Sequence, residues 1–209
     1  MGKSTIYTKS MVDNTICSRL VLVLDSSGSM ESQKKDVIGG VNETIKQQRL
    51  MNSNIHNIYF NVITFSHQVS TPTNHTLLNV PFLTANDYKT TGSTALFDAI
   101  GLTIERYKDE HNLIFLIMTD GEENASCHYT YNQIVKMIDD KKSKQNWNFI
   151  YLSENIETFK QGEKIGLSSK SMNCNNIMTS KNGLGSTLGN FTCQQAICKM
   201  IHGEKNVKI

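Results

Sequence analysis

Two short stretches in which every residue is apolar, residues 20–24 (LVLVL) and 113–118 (LIFLIM), constrain this chain more than any other feature. A strand with one wet face alternates apolar and polar residues, whereas a strand covered on both faces need not. Each run ends in a polar turn: Asp25-Ser26-Ser27-Gly28-Ser29 after the first, Thr119-Asp120-Gly121 after the second. Both are far shorter than the roughly 20 apolar residues that cross a bilayer. Between them the period changes. Val37, Ile38, Val41 and Ile45 recur at helical spacing, and Leu96, Ala99, Ile100, Thr103, Ile104 and Tyr107 form a second helical stripe.

The alternation continues along the chain. Ile58, Phe60, Val62 and Phe65 read as a strand, 76–80 as a short edge strand ended before Pro81, and 149–152 as another strand. Ile134, Val135 and Ile138 mark a helix whose end carries Lys141, Lys142 and Lys144, where the helix dipole favours cations. Residues 156–165 suit a helix stopped by Gly166, and 166–186 read as loops around one strand near Ile177. A final helix is expected over 187–202, with Cys193, Ile197, Met200 and Ile201 inward. Strands alternating with helices predict an α/β domain: a doubly wound, mainly parallel, six-stranded sheet flanked by helices. Residues 1–18 are expected to be a lead-in and 19–209 a single domain.

Composition narrows the function. The net charge is only +2, from 21 basic and 19 acidic residues, which disfavours a nucleic-acid binder, whose basic footprint is stronger. The five cysteines, Cys17, Cys127, Cys174, Cys193 and Cys198, are odd in number and scattered. They make a poor disulfide framework, and with no apolar signal core at the N-terminus the expected location is the cytoplasm. Gly2-Lys3-Ser4-Thr5 lacks the strand and upstream glycine of a phosphate loop. Met1-Gly2 lacks the Ser or Thr of a myristoylation signal, since Ile6 stands there.

In a doubly wound sheet, ligands bind beyond the carboxyl ends of the strands, where strand order reverses. Three segments belong at that edge: Asp25 to Ser29, Thr91-Gly92-Ser93-Thr94-Ala95-Leu96 before a helix, and Thr119-Asp120-Gly121-Glu122-Glu123-Asn124. Their core positions offer carboxylates and hydroxyls, without imidazole or thiol. Such hard oxygen donors suit Mg²⁺, Mn²⁺ or Ca²⁺ rather than zinc. The alternate spacing of Asp25, Ser27 and Ser29 lets one tight loop aim three side chains at a point, with Gly28 expected to relax the backbone between the serines.

These motifs resemble the von Willebrand factor type A domain and its metal-ion-dependent adhesion site. Asp25, Ser27 and Ser29 match the family's Asp-x-Ser-x-Ser, Thr94 its isolated threonine and Asp120 its distant aspartate, in the family's order. The stretch Gly-Ser-Thr-Ala-Leu-Phe-Asp-Ala-Ile around Thr94 is similar to intracellular members, among bacterial, phage or viral proteins. The resemblance implies a divalent metal, Mg²⁺ first and Mn²⁺ or Ca²⁺ as alternatives, held by Asp25, Ser27, Ser29, Thr94 and Asp120. It implies a protein partner that supplies a Glu or Asp to the ion, and no catalysis.

Two rival readings remain weaker. A Mg²⁺-dependent phosphatase with an aspartyl nucleophile wants a second acid two residues after Asp25, where Ser27 stands. A component of a nucleic-acid assembly wants a basic stripe with interleaved aromatics. Asp98 suits the first turn of a helix whatever else it does, and Glu31, Glu122 and Glu123 read as a solvated acidic rim. Histidines 56, 67, 75, 111, 128 and 202 are dispersed, and Cys127-His128 are expected to point apart. Trp147, Phe149 and Tyr151 read as packing; Tyr129 and Tyr131 lie near the third loop.

Overall fold

Every residue of the first strand, β1 (Arg19–Asp25), is buried, and the same holds for β4 (Leu113–Thr119). In the computed structural model, which describes residues 19–52, 58–72, 74–168, 170, 173–181, 183–190, 197 and 201, these two strands form the middle of a six-stranded sheet. The others are β2 (Tyr59–Phe65), β3 (His75–Thr76), β5 (Asn148–Ser153) and β6 (Cys174–Met178), in the order β3-β2-β1-β4-β5-β6. Neighbours pair in parallel except the two-residue β3, which runs antiparallel to Tyr59 and Phe60. The expected edge strand over 76–80 is therefore shorter and begins one residue earlier. Residues 77–79 turn instead, with Asn79 and Val80 donating to the Thr76 carbonyl.

Alternation along each central strand sorts side chains into two cores. Leu20, Leu22, Leu24, Ile114, Leu116 and Met118 meet α1 (Lys34–Met51) and α5 (Leu184–Gly189) through Val37, Val41, Ile45, Leu184 and Leu188. Val21, Val23, Phe115 and Ile117 face the other way. There they meet α2 (Leu96–Arg106) and α3 (Tyr131–Gln145) through Leu96, Ile100, Ile104, Ile134 and Ile138. Trp147, Phe149 and Tyr151 are fully buried on this second side, as expected, and Trp147 and Phe149 pack on Phe115. The glycine-ended helix is α4 (Ile156–Lys164): Gly166 takes φ +90°, and the Leu167 N–H closes back on the Gly162 carbonyl.

The helix expected over 187–202 is not continuous. α5 begins earlier, at Leu184, because Asp36 of α1 receives the N–H groups of Gly185 and Ser186 and so holds its first turn. It ends at Gly189, where Asn190 turns extended (ψ 155°). Ile197 and Ile201 are helical and buried. The 1–18 lead-in, Cys17, His56, Cys193, Cys198, Met200 and His202 lie outside the described residues. No helix among the described residues is long and apolar enough to cross a membrane.

Candidate functional site

The chain leaves β1 toward β2 on one side and later enters β4 on the other, so strand order reverses between β1 and β4. Asp25, the last residue of β1, is fully buried. Its Oδ1 accepts from the Ser27 N–H at 2.7 Å, and its Oδ2 accepts from the Thr119 hydroxyl at 2.6 Å, at the end of β4. The Tyr88 hydroxyl donates to the Asp25 carbonyl at 2.5 Å and fixes the turn from outside the sheet. A 3₁₀ turn over Gly28–Gln33 then brings the Ser29 hydroxyl to 3.1 Å from that of Ser27. Ser29 donates to Asp120 Oδ1 at 2.6 Å. Gln33 Nε2 donates to Asp120 Oδ2 at 3.1 Å, and Asn155 Nδ2 to the Asp120 carbonyl at 3.0 Å.

The second loop is tied to the first by its backbone. Gly92, at φ +73°, accepts from the Gly28 N–H at 3.0 Å, and Thr91 N–H donates to Ser26 at 2.8 Å. Thr94 is buried and lies against Gly121, where an added Cβ would come within 3.0 Å of its hydroxyl. Asn124 brackets Thr94, accepting from its N–H at 2.9 Å and donating to its carbonyl at 3.0 Å. The five residues singled out in the sequence are thus gathered at one end of the sheet. Gly28 differs from expectation: its φ is not in the left-handed region, and a Cβ would meet only ordinary contact, 3.5 Å from Gly92 O. The left-handed residue is Gly92.

Charge at this edge is poorly solvated. Burial pushes Asp25 up from its ordinary 3.8 to about 6, against the lowering effect of the Thr119 and Ser27 hydrogen bonds. Asp120 is also raised, chiefly by burial. Neither carboxylate forms an ion pair among the described residues. A carboxyl raised in the fold favours its protonated form there. Its contribution is therefore best below about pH 4 and is lost as pH rises from about 4 to 6. For Asp25 the loss is on the order of 2–3 kcal/mol at 1.36 kcal/mol per unit. In metal-free buffer, urea midpoints of the native chain and Asp25→Asn should diverge over this window, the native chain losing ground as pH rises. Parallel profiles would contradict the burial of an ionised Asp25.

Two acids behave differently from their sequence reading. Asp98 accepts the backbone N–H groups of Cys127, His128 and Tyr129, each at 2.9 Å, so it anchors the third loop onto α2 rather than merely serving the helix dipole. These bonds lower its pKa although burial opposes them. Glu123 is half-buried, not solvated: it accepts from the N–H groups of Phe97, Ala125 and Ser126 and from the Ser126 hydroxyl. The rim therefore reduces to Glu31, which accepts from the Thr90 hydroxyl, and the exposed Glu122. Cys127 and His128 do not point apart, for both approach Asp98. Tyr129 packs over Gly101, and Tyr131 donates to the Lys164 carbonyl at 2.9 Å. Thr119 and Asn124, which lie in the third segment, also support the site, as do Tyr88, Gln33 and Asn155, which no spacing rule marks because each reaches it from outside the three segments.

No family model matches this chain, and no curated protein does. Solved structures do. The PilB minor pilin from Streptococcus sanguinis superimposes with a TM-score of 0.67 at 12% identity, over 94% of this chain and 64% of its own. The vWF domain of the type V pili tip protein Mfa5 from Porphyromonas gingivalis gives 0.67 at 10% identity, over 93% and 98%. A von Willebrand factor type A protein from Catenulispora acidiphila gives 0.58 at 11%, over 88% and 43%. This chain thus spans about two thirds of PilB and less than half of the last. Likeness at such identities is one of architecture alone: the fold is like that of von Willebrand factor type A domains.

Proposed function

We propose that this chain is a divalent-metal-dependent protein-binding domain, with Asp25, Ser27, Ser29, Thr94 and Asp120 as the metal's residues and an acidic side chain of a partner protein as its external ligand. The observation that carries this reading is the convergence of three hydroxyls and two poorly solvated carboxylates at the switch point of the sheet. A buried carboxylate without a cation is unfavourable, and a hard divalent ion is the remedy its oxygens suit. The donor set passes a simple fit. Adjacent oxygens of a near-octahedral Mg²⁺ site lie about 2.9 Å apart when each bond is 2.0–2.1 Å. The Ser27 and Ser29 hydroxyls are 3.1 Å apart. Bound there, an ion would supply a positive centre with only two protein carboxylates near it, which favours a third carboxylate from outside. Asp25 would hold the ion's protein side while Thr119 and the Ser27 N–H orient its oxygens. Gln33 and Asn155 would keep Asp120 aimed at the same point.

Pilus proteins among the structural neighbours, PilB, Mfa5 and the SpaC pilus adhesin, support a binding role over a catalytic one. The position two residues after Asp25 is Ser27, so a second acid of the phosphatase kind is lacking there. The test is capture from native lysate in Mg²⁺ buffer, repeated with chelator, followed by alanine replacement of each partner acid at the interface. One partner Glu or Asp should prove essential, and chelator should release the complex. Binding that ignores chelator, or an interface with no essential acid, refutes the bridge. Phosphate release abolished by Asp25→Ala would establish the hydrolase reading instead.

A further inference from the structure

We propose a second metal site on the outer face of the third loop, formed by Asp98, Cys127 and His128 and suited to a soft or borderline ion of the Zn²⁺ class. One ligand atom from each of the three lies within 4.8 Å of the others. Asp98 is buried at the start of α2, while Cys127 and His128 are exposed, so the cluster is rooted in the fold and open to solvent.

The state of Asp98 defines where the ion sits. An ionised carboxylate has about four acceptor positions. Three of them are taken by the N–H groups of Cys127, His128 and Tyr129. The fourth faces the Cys127 thiol, whose sulfur is 3.7 Å from Oδ2. In a tetrahedral zinc site, with Zn–S about 2.3 Å and Zn–O about 2.0–2.2 Å, sulfur and oxygen lie about 3.5 Å apart. The carboxylate and thiol are therefore already near the required separation. The His128 ring is exposed, and its ligand nitrogen lies within 4.8 Å of both the carboxylate oxygen and the sulfur.

Binding exchanges the thiol proton for the metal: a Cys127–sulfur–metal bond forms, the S–H bond breaks, and the proton leaves to solvent. Carboxylate and thiolate together balance the ion's two charges, and His128 enters as the neutral imidazole. The fourth tetrahedral position faces solvent and takes water or a ligand from outside. Thiolate with imidazole selects zinc-like ions, whereas the oxygen donors around Asp25 favour magnesium, so the two sites take different metals. Backbone bonds that hold Asp98 are independent of the side chains of Cys127 and His128, so replacing either of these leaves the loop's anchor in place.

Cobalt(II) is the probe, since thiolate ligation gives it a near-ultraviolet charge-transfer band that oxygen ligation lacks. The full chain, kept reduced, is titrated with CoCl₂ and then with ZnCl₂. One equivalent of cobalt should produce the band, and zinc should remove it. Cys127→Ser should abolish the band, and His128→Ala should weaken affinity at least about tenfold, the smaller of the losses seen when outer-shell partners are removed. Asp25→Asn should leave the band unchanged, which separates this site from the proposed magnesium site. Thermal melts without metal verify that the variants fold. A missing band, or one that survives Cys127→Ser at full strength, overturns the site. A band lost in folded Asp25→Asn overturns its independence.

Discussion

Asp25→Asn should raise the stability of the metal-free chain at pH 7 by on the order of 2–3 kcal/mol and at the same time remove its response to Mg²⁺. The first effect follows from burial. Asp25 is wholly inaccessible, its carboxyl is pushed up to about 6, and at pH 7 the fold carries the charge at a cost. An amide of the same shape removes the charge and keeps the geometry. Its oxygen still accepts from the Ser27 N–H. Its NH₂ faces the Thr119 hydroxyl, which has a second acceptor in the Gly121 carbonyl at 3.0 Å. The second effect follows from ligation. An ion that binds only the native state stabilises it by RT ln(1 + [L]/Kd), about 2.7 kcal/mol at a hundredfold excess over Kd. Excess Mg²⁺ should therefore raise the unfolding midpoint of the native chain and leave Asp25→Asn where it was. Titration calorimetry should agree, with heat for the native chain and none for the variant. Equal stabilisation of both by Mg²⁺ would remove Asp25 from the metal site. A variant less stable at every pH would show that the buried charge is not a cost. Asp25→Ala should lose Mg²⁺ binding as well, without the gain in stability, because it strips the Ser27 N–H of its acceptor and leaves a void at a fully buried position.

Replacing the buried glycine of α1 should be the most damaging change away from the site. Gly40→Ala should destabilise the chain by about 3 kcal/mol or more, the upper end of overpacking costs. In a chain of this length that is a fall of roughly 6–12 °C in melting temperature. An added Cβ at Gly40 would lie 2.0 Å from the Gly185 carbonyl oxygen, and one at Gly185 would lie 1.9 Å from the Asp36 carbonyl oxygen. Both obstacles are backbone, so no side chain can rotate out of the way. α5 would have to move off α1, withdrawing Leu184 and Leu188 from the core and breaking the Asp36 bonds to Gly185 and Ser186. The adjacent Gly39 is the control, exposed with nothing within 4 Å of a Cβ. Gly39→Ala should stabilise by about 0.5–1 kcal/mol through helix propensity alone. If the two variants melt together, α1 and α5 do not pack as described.

The division between sequence and tertiary structure runs along identifiable residues. Runs 20–24 and 113–118 announced central strands because burial on both faces removes the need for polar alternation, and the structure has them as β1 and β4. Asp25, Ser27, Ser29, Thr94 and Asp120 were legible because each lies at a junction between a strand or helix and a polar loop, and parallel strands deliver such junctions to one edge. Local order along the chain sufficed for these. It did not suffice for partners contributed from a distance. Tyr88 reaches Asp25, Asn124 brackets Thr94, and Gln33 meets Asp120 across 63, 30 and 87 residues. Nor could it separate Gly39 from Gly40, identical in type and adjacent in one helix, whose difference is the approach of another helix's backbone. The inward turn of Glu123, and the meeting of Cys127 and His128 at Asp98, were likewise settled by tertiary structure. Backbone N–H groups in a folded loop need acceptors, and the nearest carboxylates turn toward them whatever their sequence neighbours suggest.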